Sequence, residues 1–338
     1  MLGCGEWSVV VTIRGGGVVA ATDVPVTTLA LSLNLSASSE ATVDLVDRRV
    51  CATLGETVRS WSHEVALYRD GELAMLGPIV GRRVTGDRLT WRVRDVSAWL
   101  GRWFVASDVS YAGVDAAALA ALVVETAAAR DSTVGITLDW KPVGVLVSRA
   151  YAAADAKYAI EALGEVVDAG GVWVVDGRTV RFGAAVDESS IGEAFGDAWA
   201  SEPDVEEDGM AVATRVVVAG AKPSAGTQPY GSAVADAAVA TYGLLEQRVQ
   251  DDAATDSATA ARLAGVAVAR LAVPRRVVSS GDLSPGAPFV WRSVRPARRV
   301  WATVRGAGRF EGRIVGVNVR ASGGVETISV DLEDVAGA

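Results

Sequence analysis

DSATAARLAGVAVARL, residues 256–271, opens the stretch that decides the fold, and a Gly/Pro-punctuated run to residue 334 completes it. Asp256-Ser257 gives a polar start. Ala260, Leu263, Ala264, Ala267, Val268 and Leu271 then recur on one side of a 3.6-residue period, with Arg262 and Arg270 towards another. Such a helix packs on a sheet and keeps a charged edge. Pro274 ends it, having no N–H to donate. Gly281-Asp282 and Pro285-Gly286 follow, and strands are expected at 289–294, 300–304, 313–319 and 327–332, with Gly323-Gly324 turning the last hairpin. These strands would close a small barrel.

Working outward, the first hundred residues alternate as strands do: Val9, Val11, Ile13; Leu29, Leu31, Leu33, Leu35; Val43, Leu45; Val65, Leu67; Leu89, Trp91, Val93. Gly15-Gly16-Gly17, Asp70-Gly71, Gly77-Pro78 and Gly86-Asp87 separate the runs, which predicts a meander or a first barrel. The middle differs. Asp115 is expected to cap a helix lined by Leu119, Leu122, Val123 and Thr126, and Asp155 a second lined by Ile160, Leu163 and Val167 and stopped by Gly170. A strand at 134–138 and a hairpin, 172–175 with 179–182 across Asp176-Gly177, would give these helices a sheet to cover. Beyond them, residues 202–208 are acidic, 215–218 reads as a buried strand, and 219–240 reads as a long loop. The expected fold is α+β and β-rich: two tube-like barrel domains, 1–105 and 191–338, around an α+β insert at 106–190. The second holds the loop 219–240 and the Ala-rich helix 257–272.

With 338 residues, half of them hydrophobic, the chain can bury substantial cores. Its net charge of −9 argues against a surface that binds nucleic acid, which needs Lys and Arg to neutralise phosphate. Basic residues are almost all Arg, with Lys only at 141, 157 and 222, and Ala, Val and Gly abound, which suggests GC-rich coding. Cys4 and Cys51 are too few for a disulfide scaffold or a cysteine-only zinc site and read as packed or free thiols, a single disulfide staying open. No export signal precedes Cys4, and the apolar run 116–129 falls short of the about 20 residues that cross a bilayer. No membrane insertion is expected.

Catalytic chemistry finds little support. His63 is the single histidine, so multi-histidine metal centres are excluded, and a serine or cysteine nucleophile has one imidazole to call on. Ser62 adjoins it but points to the opposite face of a strand. Packing or a surface hydrogen bond accounts for His63. Residues 306–312 miss a dinucleotide spacing by one and sit in a hairpin. Glu202, Asp204, Glu206, Glu207 and Asp208 form the densest acidic cluster. A glycosidase pair would need one raised pKa, whereas a cluster so charged stays hydrated and reads as a solvated loop or pore-facing edge. Its spacing does not match a calcium hand. Neither metal nor cofactor is expected. The ten tryptophans, Trp99 and Trp103 among them, read as core or subunit-interface anchors, with stacking on sugars as the lesser reading.

Several segments in order resemble the tail-hub, or baseplate-hub, family of minor tail proteins from actinobacteriophages (siphoviruses). They are Ser39-Glu40-Ala41-Thr42-Val43, His63 to Gly71, Gly77-Pro78-Ile79, Arg94 to Leu100 with Trp103-Phe104, Ala159 to Gly171, and Tyr242-Gly243-Leu244-Leu245-Glu246 before the helix and final strands. The resemblance spans nearly the whole chain. It implies a non-enzymatic homotrimer whose two barrels per subunit give six quasi-equivalent units around a channel, joining a sixfold tail tube to a threefold tip. The implied partners are the distal tail protein and tip, spike or tape-measure proteins, with DNA passing through unbound. The implied location is the virion tail tip, after assembly in the host cytoplasm. On this reading Glu202, Asp204, Glu206, Glu207, Asp208, Trp99 and Trp103 are candidates for subunit interface or lumen. A carbohydrate-binding minor tail protein is the alternative, and a tail-associated cell-wall glycosidase a more distant one.

Overall fold

A computed structural model of the chain describes residues 5–22, 24–46, 48–105, 107–195, 199, 201, 203–220, 222, 226–251, 254–284, 291–305 and 308–335. Cys4, Glu202, the expected turn Pro285-Gly286 and the start of the strand expected at 289–294 lie outside these residues.

The alternating runs of the two chain ends build one sheet. From edge to edge its strands are Asp204–Asp208, Arg275–Asp282, Val325–Asp334, Gly308–Ser322, Thr28–Asn34, Glu40–Val46, Arg88–Arg94, Glu72–Thr85, His63–Arg69, Trp7–Ile13 and Val19–Ala21; Arg299–Val304 also pairs with Gly308–Ser322, and Ser190–Ala194 with Arg299–Val304. The seam between the ends is antiparallel, with Leu33 opposite Val317 and Leu31 opposite Val319. Alternation explains why it forms. Leu29, Leu31, Leu33, Val317 and Val319 are all buried, so a single core takes side chains from both ends of the chain.

Two separate barrels were the expectation; among the described residues the strand path is open, and the edge strand of each end is satisfied by the other end rather than by its own meander. The long strand Glu72–Thr85 makes a corner. It pairs with His63–Arg69 as far as Pro78 and with Arg88–Arg94 from Ile79 onward, across a bulge at Ile79 and Gly81. Gly77 is required there, because a Cβ would lie 1.9 Å from the Arg94 carbonyl oxygen.

A buried ion pair fastens the ends together. Arg69 Nε and Nη2 donate to Glu326 Oε1 and Oε2 at 2.9 and 2.7 Å, and the Trp7 indole N–H and Gly5 amide donate to the same carboxylate. Trp291 lies beneath, buried and flanked by the guanidiniums of Arg69 and Arg295. It belongs to a short 3-10 turn, Trp291–Ser293, and not to a strand. Strand Arg275–Asp282, directly after Pro274, takes up the pairing that the sequence reading left out.

A second core joins the middle of the chain to helix Ser257–Leu271. Asp115 caps helix Ala116–Ala128 by accepting from Ala117 N at 2.9 Å, and Asp256 caps Ser257–Leu271 by accepting from Thr259 N at 2.7 Å. Leu119 and Val123 face this core, whereas Leu122 and Thr126 are exposed. Asp155 caps nothing; the second helix is Glu161–Asp168, and Glu161 turns its carboxylate back to the Tyr158 amide. Trp173–Asp176 and Thr179–Gly183 form the expected hairpin, beside the parallel strand Thr137–Lys141. Arg178 in its turn pairs with Glu64, which is fully buried at the terminal sheet.

The second half of the expected loop 219–240 is structured, from Tyr230 onward. Tyr230–Val234 pairs antiparallel with Arg215–Ala219, Glu246–Gln250 pairs parallel on its other side, and helix Asp236–Tyr242 connects them. Gly231 and Ala233 face helix Ser257–Leu271 so closely that a Cβ on Gly231 would lie 2.1 Å from Ala261 N. Small residues at a close helix–strand contact carry no hydropathy signal, which is why the strand was not anticipated. Helix Arg48–Thr57 was likewise unforeseen; Cys51 is buried on it with a free thiol whose Sγ donates to the Leu45 carbonyl.

Candidate functional site

The outward face of the continuous sheet is concave and polar. Strand alternation sends Trp91, Val93, Val317, Val319, Ile328 and Val330 into the core and their neighbours the other way. Register then aligns those neighbours in two rows across the seam. One runs Arg94, Glu40, Ser32, Asn318, Ser329, Asp282; the other runs Arg92, Thr42, Ala30, Arg320, Thr327. The short side chains of Ala30, Ser32 and Thr42 form the floor of a concavity of about 1170 Å³.

Trp61, Ala98, Gly101, Arg102 and Ile160 wall one end. Buried Asp95 builds that wall: its carboxylate accepts from Ser39 N at 2.6 Å, Ser97 N at 3.0 Å and Ser97 Oγ at 2.5 Å, which starts the short helix Ser97–Leu100. Burial pushes the Asp95 pKa up against these hydrogen bonds. The helix places Trp99 edge-on to Trp61 at 5.0 Å and stacked with Trp103 at 6.4 Å. Trp99 is buried, while Trp61 and Trp103 are half-buried. Arg102 lies over the Trp61 ring at 4.9 Å.

Charge is distributed unevenly along this face. Arg92, Arg94 and Arg102 are exposed at the tryptophan end, and Arg320 is exposed in the interior of its row on strand Gly308–Ser322. Glu40 approaches Arg94 at 3.9 Å, and among the described residues Arg92, Arg102 and Arg320 have no carboxylate within ion-pair distance. Asp282 stands at the opposite end, where the Ser201 hydroxyl meets it, and beyond it the sheet finishes in Asp204–Asp208. The acidic run is therefore an edge strand and not a loop. Val205 packs on the core opposite Val278, leaving Asp204, Glu206 and Asp208 on the outer side. Glu207 meets Arg276 at 3.5 Å; among the described residues Asp204 and Glu206 have no cationic partner.

The predicted site residues that are described thus fall into two groups: Trp99 and Trp103 at the basic end, on the short helix Ser97–Leu100 and just after it, and Asp204, Glu206, Glu207 and Asp208 on the acidic edge strand. The arginine rows escaped the sequence reading, although Arg92 and Arg94 alternate with buried Trp91 and Val93 and so were legible as an outward face. Guanidiniums beside hydroxyls and an amide can hold carboxylates or phosphates. His63 is elsewhere occupied, its Nδ1 accepting from the Arg59 amide at 3.1 Å. No group of three or more His, Cys, Asp or Glu side chains able to hold a metal occurs among the described residues. The buried cluster of Arg149 with Glu165 at 2.6 Å and Asp251 at 2.9 Å lies in the second core and ties a strand, a helix and a loop together.

The fold is one found in phage tail proteins. The chain is similar to the 43 kDa tail protein of prophage MuSo2 from Shewanella oneidensis, with a TM-score of 0.68 and 11% identity, over 98% of this chain and 99% of that one. It is similar to a tail protein from Neisseria meningitidis MC58 with a TM-score of 0.68 and 13% identity, over 98% and 97% of the two chains. The E. coli c3393 protein, a type VI secretion component described as structurally similar to the T4 tail proteins gp27 and gp5, aligns with a TM-score of 0.52 and 13% identity over 97% and 77%. No protein-family model and no curated protein matches the sequence.

Proposed function

We propose that this chain is a structural tail-hub protein of a tailed phage. Three copies form a ring that joins the sixfold tail tube, through the distal tail protein, to the threefold tip and its spike or tape-measure proteins. The observation that carries the reading is the end-to-end likeness of fold to phage tail proteins, which leaves neither chain with a large unmatched domain. The similarity to a secretion component related to gp27 and gp5 favours the hub over other parts of a tail.

The ring surrounds the channel through which DNA leaves, and a net charge of −9 suits a conduit that must not hold phosphate. The protein works without enzymatic chemistry, by matching symmetries. It resides at the virion tail tip after assembly in the host cytoplasm, and its Arg-rich, Lys-poor composition accords with a siphovirus of a GC-rich actinobacterial host. Absolute mass by light scattering across a concentration series tests the reading. A stable trimer, alone or with the adjoining tail protein, is expected; a monomer under both conditions would refute it.

A further inference from the structure

We infer that the arginine-bearing concave face of one copy receives the acidic edge strand Asp204–Asp208 of a second copy, head to tail. The inference rests on the hub reading and names the surfaces that would close its ring.

Three observations carry it. First, one sheet presents opposite charge at two separate places: Arg92, Arg94, Arg102 and Arg320 on the concave face, and Asp204, Glu206 and Asp208 at the edge. Surfaces of opposite sign on a single subunit cannot meet each other, and between copies they give a heterologous contact, which closes into a ring when the rotation allows. Secondly, the edge strand ends the sheet, so one row of its backbone N–H and C=O groups faces away from Arg275–Asp282 without a strand partner among the described residues. Thirdly, the dimensions agree. The strand of five residues is about 17 Å long, and the row Arg92, Thr42, Ala30, Arg320, Thr327 crosses five strands, or about 19 Å.

The central floor of Ala30, Ser32 and Thr42 leaves room for the strand, while Asn318 and Thr327 offer side-chain hydrogen bonds to its backbone. Arg102, held over Trp61, is positioned to meet the third acid, Asp208. This assigns the acidic strand to the interface and not to the lumen.

Charge reversal on each side, and then on both, tests the pairing by light scattering of the full chain. R92E/R320E and D204K/E206K are each expected to raise the apparent dissociation constant of the ring about tenfold or more. The quadruple variant, with the signs exchanged, is expected to recover the ring, and recovery excludes misfolding as the cause of either loss. A wild-type ring indifferent to both reversals would overturn the inference and leave the hub reading standing. A wild type that never assembles would remove the hub reading itself. If duplex DNA instead binds the wild type, is released by R92E/R320E and leaves D204K/E206K assembled, the face belongs to phosphate and the inference fails.

Discussion

Replacing Glu326 by Ala attacks a place where the N-terminal strands and the last hairpin are locked together through buried charge. The Arg69 and Glu326 side chains are 1% and 2% exposed, and the carboxylate accepts two hydrogen bonds from Arg69, one from the Trp7 indole and one from the Gly5 amide. Removing one partner of such a pair leaves an uncompensated buried charge, at a cost of about 3–5 kcal/mol. Asp70 still reaches Arg69 Nη1 at 3.0 Å, which places the expected loss at the lower end, about 3 kcal/mol. Glu326→Gln keeps the shape and is expected to lose less, about 1–3 kcal/mol. R69M/E326L removes both charges and is expected to recover at least half of the loss seen in Glu326→Ala. Equilibrium urea unfolding followed by circular dichroism reads these differences, with protein concentration held fixed because any self-association would add stability. A loss below about 1 kcal/mol in Glu326→Ala would refute the argument that the pair holds the two ends together.

Burial works against ionised Asp44, but hydrogen bonds from Arg88 and Thr90 outweigh it and hold the carboxyl below its ordinary value. The resulting stability is present above the unfolded Asp value near 4 and is lost as pH falls through the lower folded value. Acid titration of stability should therefore show Arg88→Ala weaker than wild type at pH 6, with the gap closing below pH 4; a constant gap would contradict the assignment. Gly231→Val is expected to separate strand Tyr230–Val234 from helix Ser257–Leu271 and to cost about 1–3 kcal/mol, read by thermal unfolding; a neutral result would mean that the contact relaxes freely. Gold-labelled antibody against the chain is expected at the tail tip in electron micrographs of virions, and label confined to heads or absent from particles would remove the hub. Host-surface polysaccharide is expected to leave tryptophan fluorescence unchanged, whereas saturable quenching lost in Trp61→Ala would favour a glycan-binding role.

Local chemistry made much of the fold legible. Leu29, Leu31 and Leu33 announced a strand with one buried face, Asp115 and Asp256 marked helix starts, and Gly323 and Gly324, both at positive φ, turned the last hairpin. What escaped was non-local. Nothing in either partner strand states that Leu33 pairs with Val317 rather than with a neighbour in its own meander, because alternation fixes the face of a strand and not its partner. Tyr230–Val234 was lost for a different reason: Gly231 and Ala233 suit a helix that comes within contact of the backbone, and such residues read as loop. Of the candidate site, the acidic and tryptophan clusters were visible as composition, while the arginine rows became a site only once register brought strands from both ends side by side.

The seam between Thr28–Asn34 and Gly308–Ser322 also sets a timetable for synthesis. Roughly 270 residues separate the two strands, so at about 5–20 residues per second the first waits on the order of 14–55 s for its partner to leave the ribosome. Throughout that interval the N-terminal meander carries a bare edge, and a chain cut short by a nonsense codon carries it permanently. Only a chain translated through Ser322 presents both the arginine face and a covered seam, so discrimination against truncated copies is written into the order of the strands.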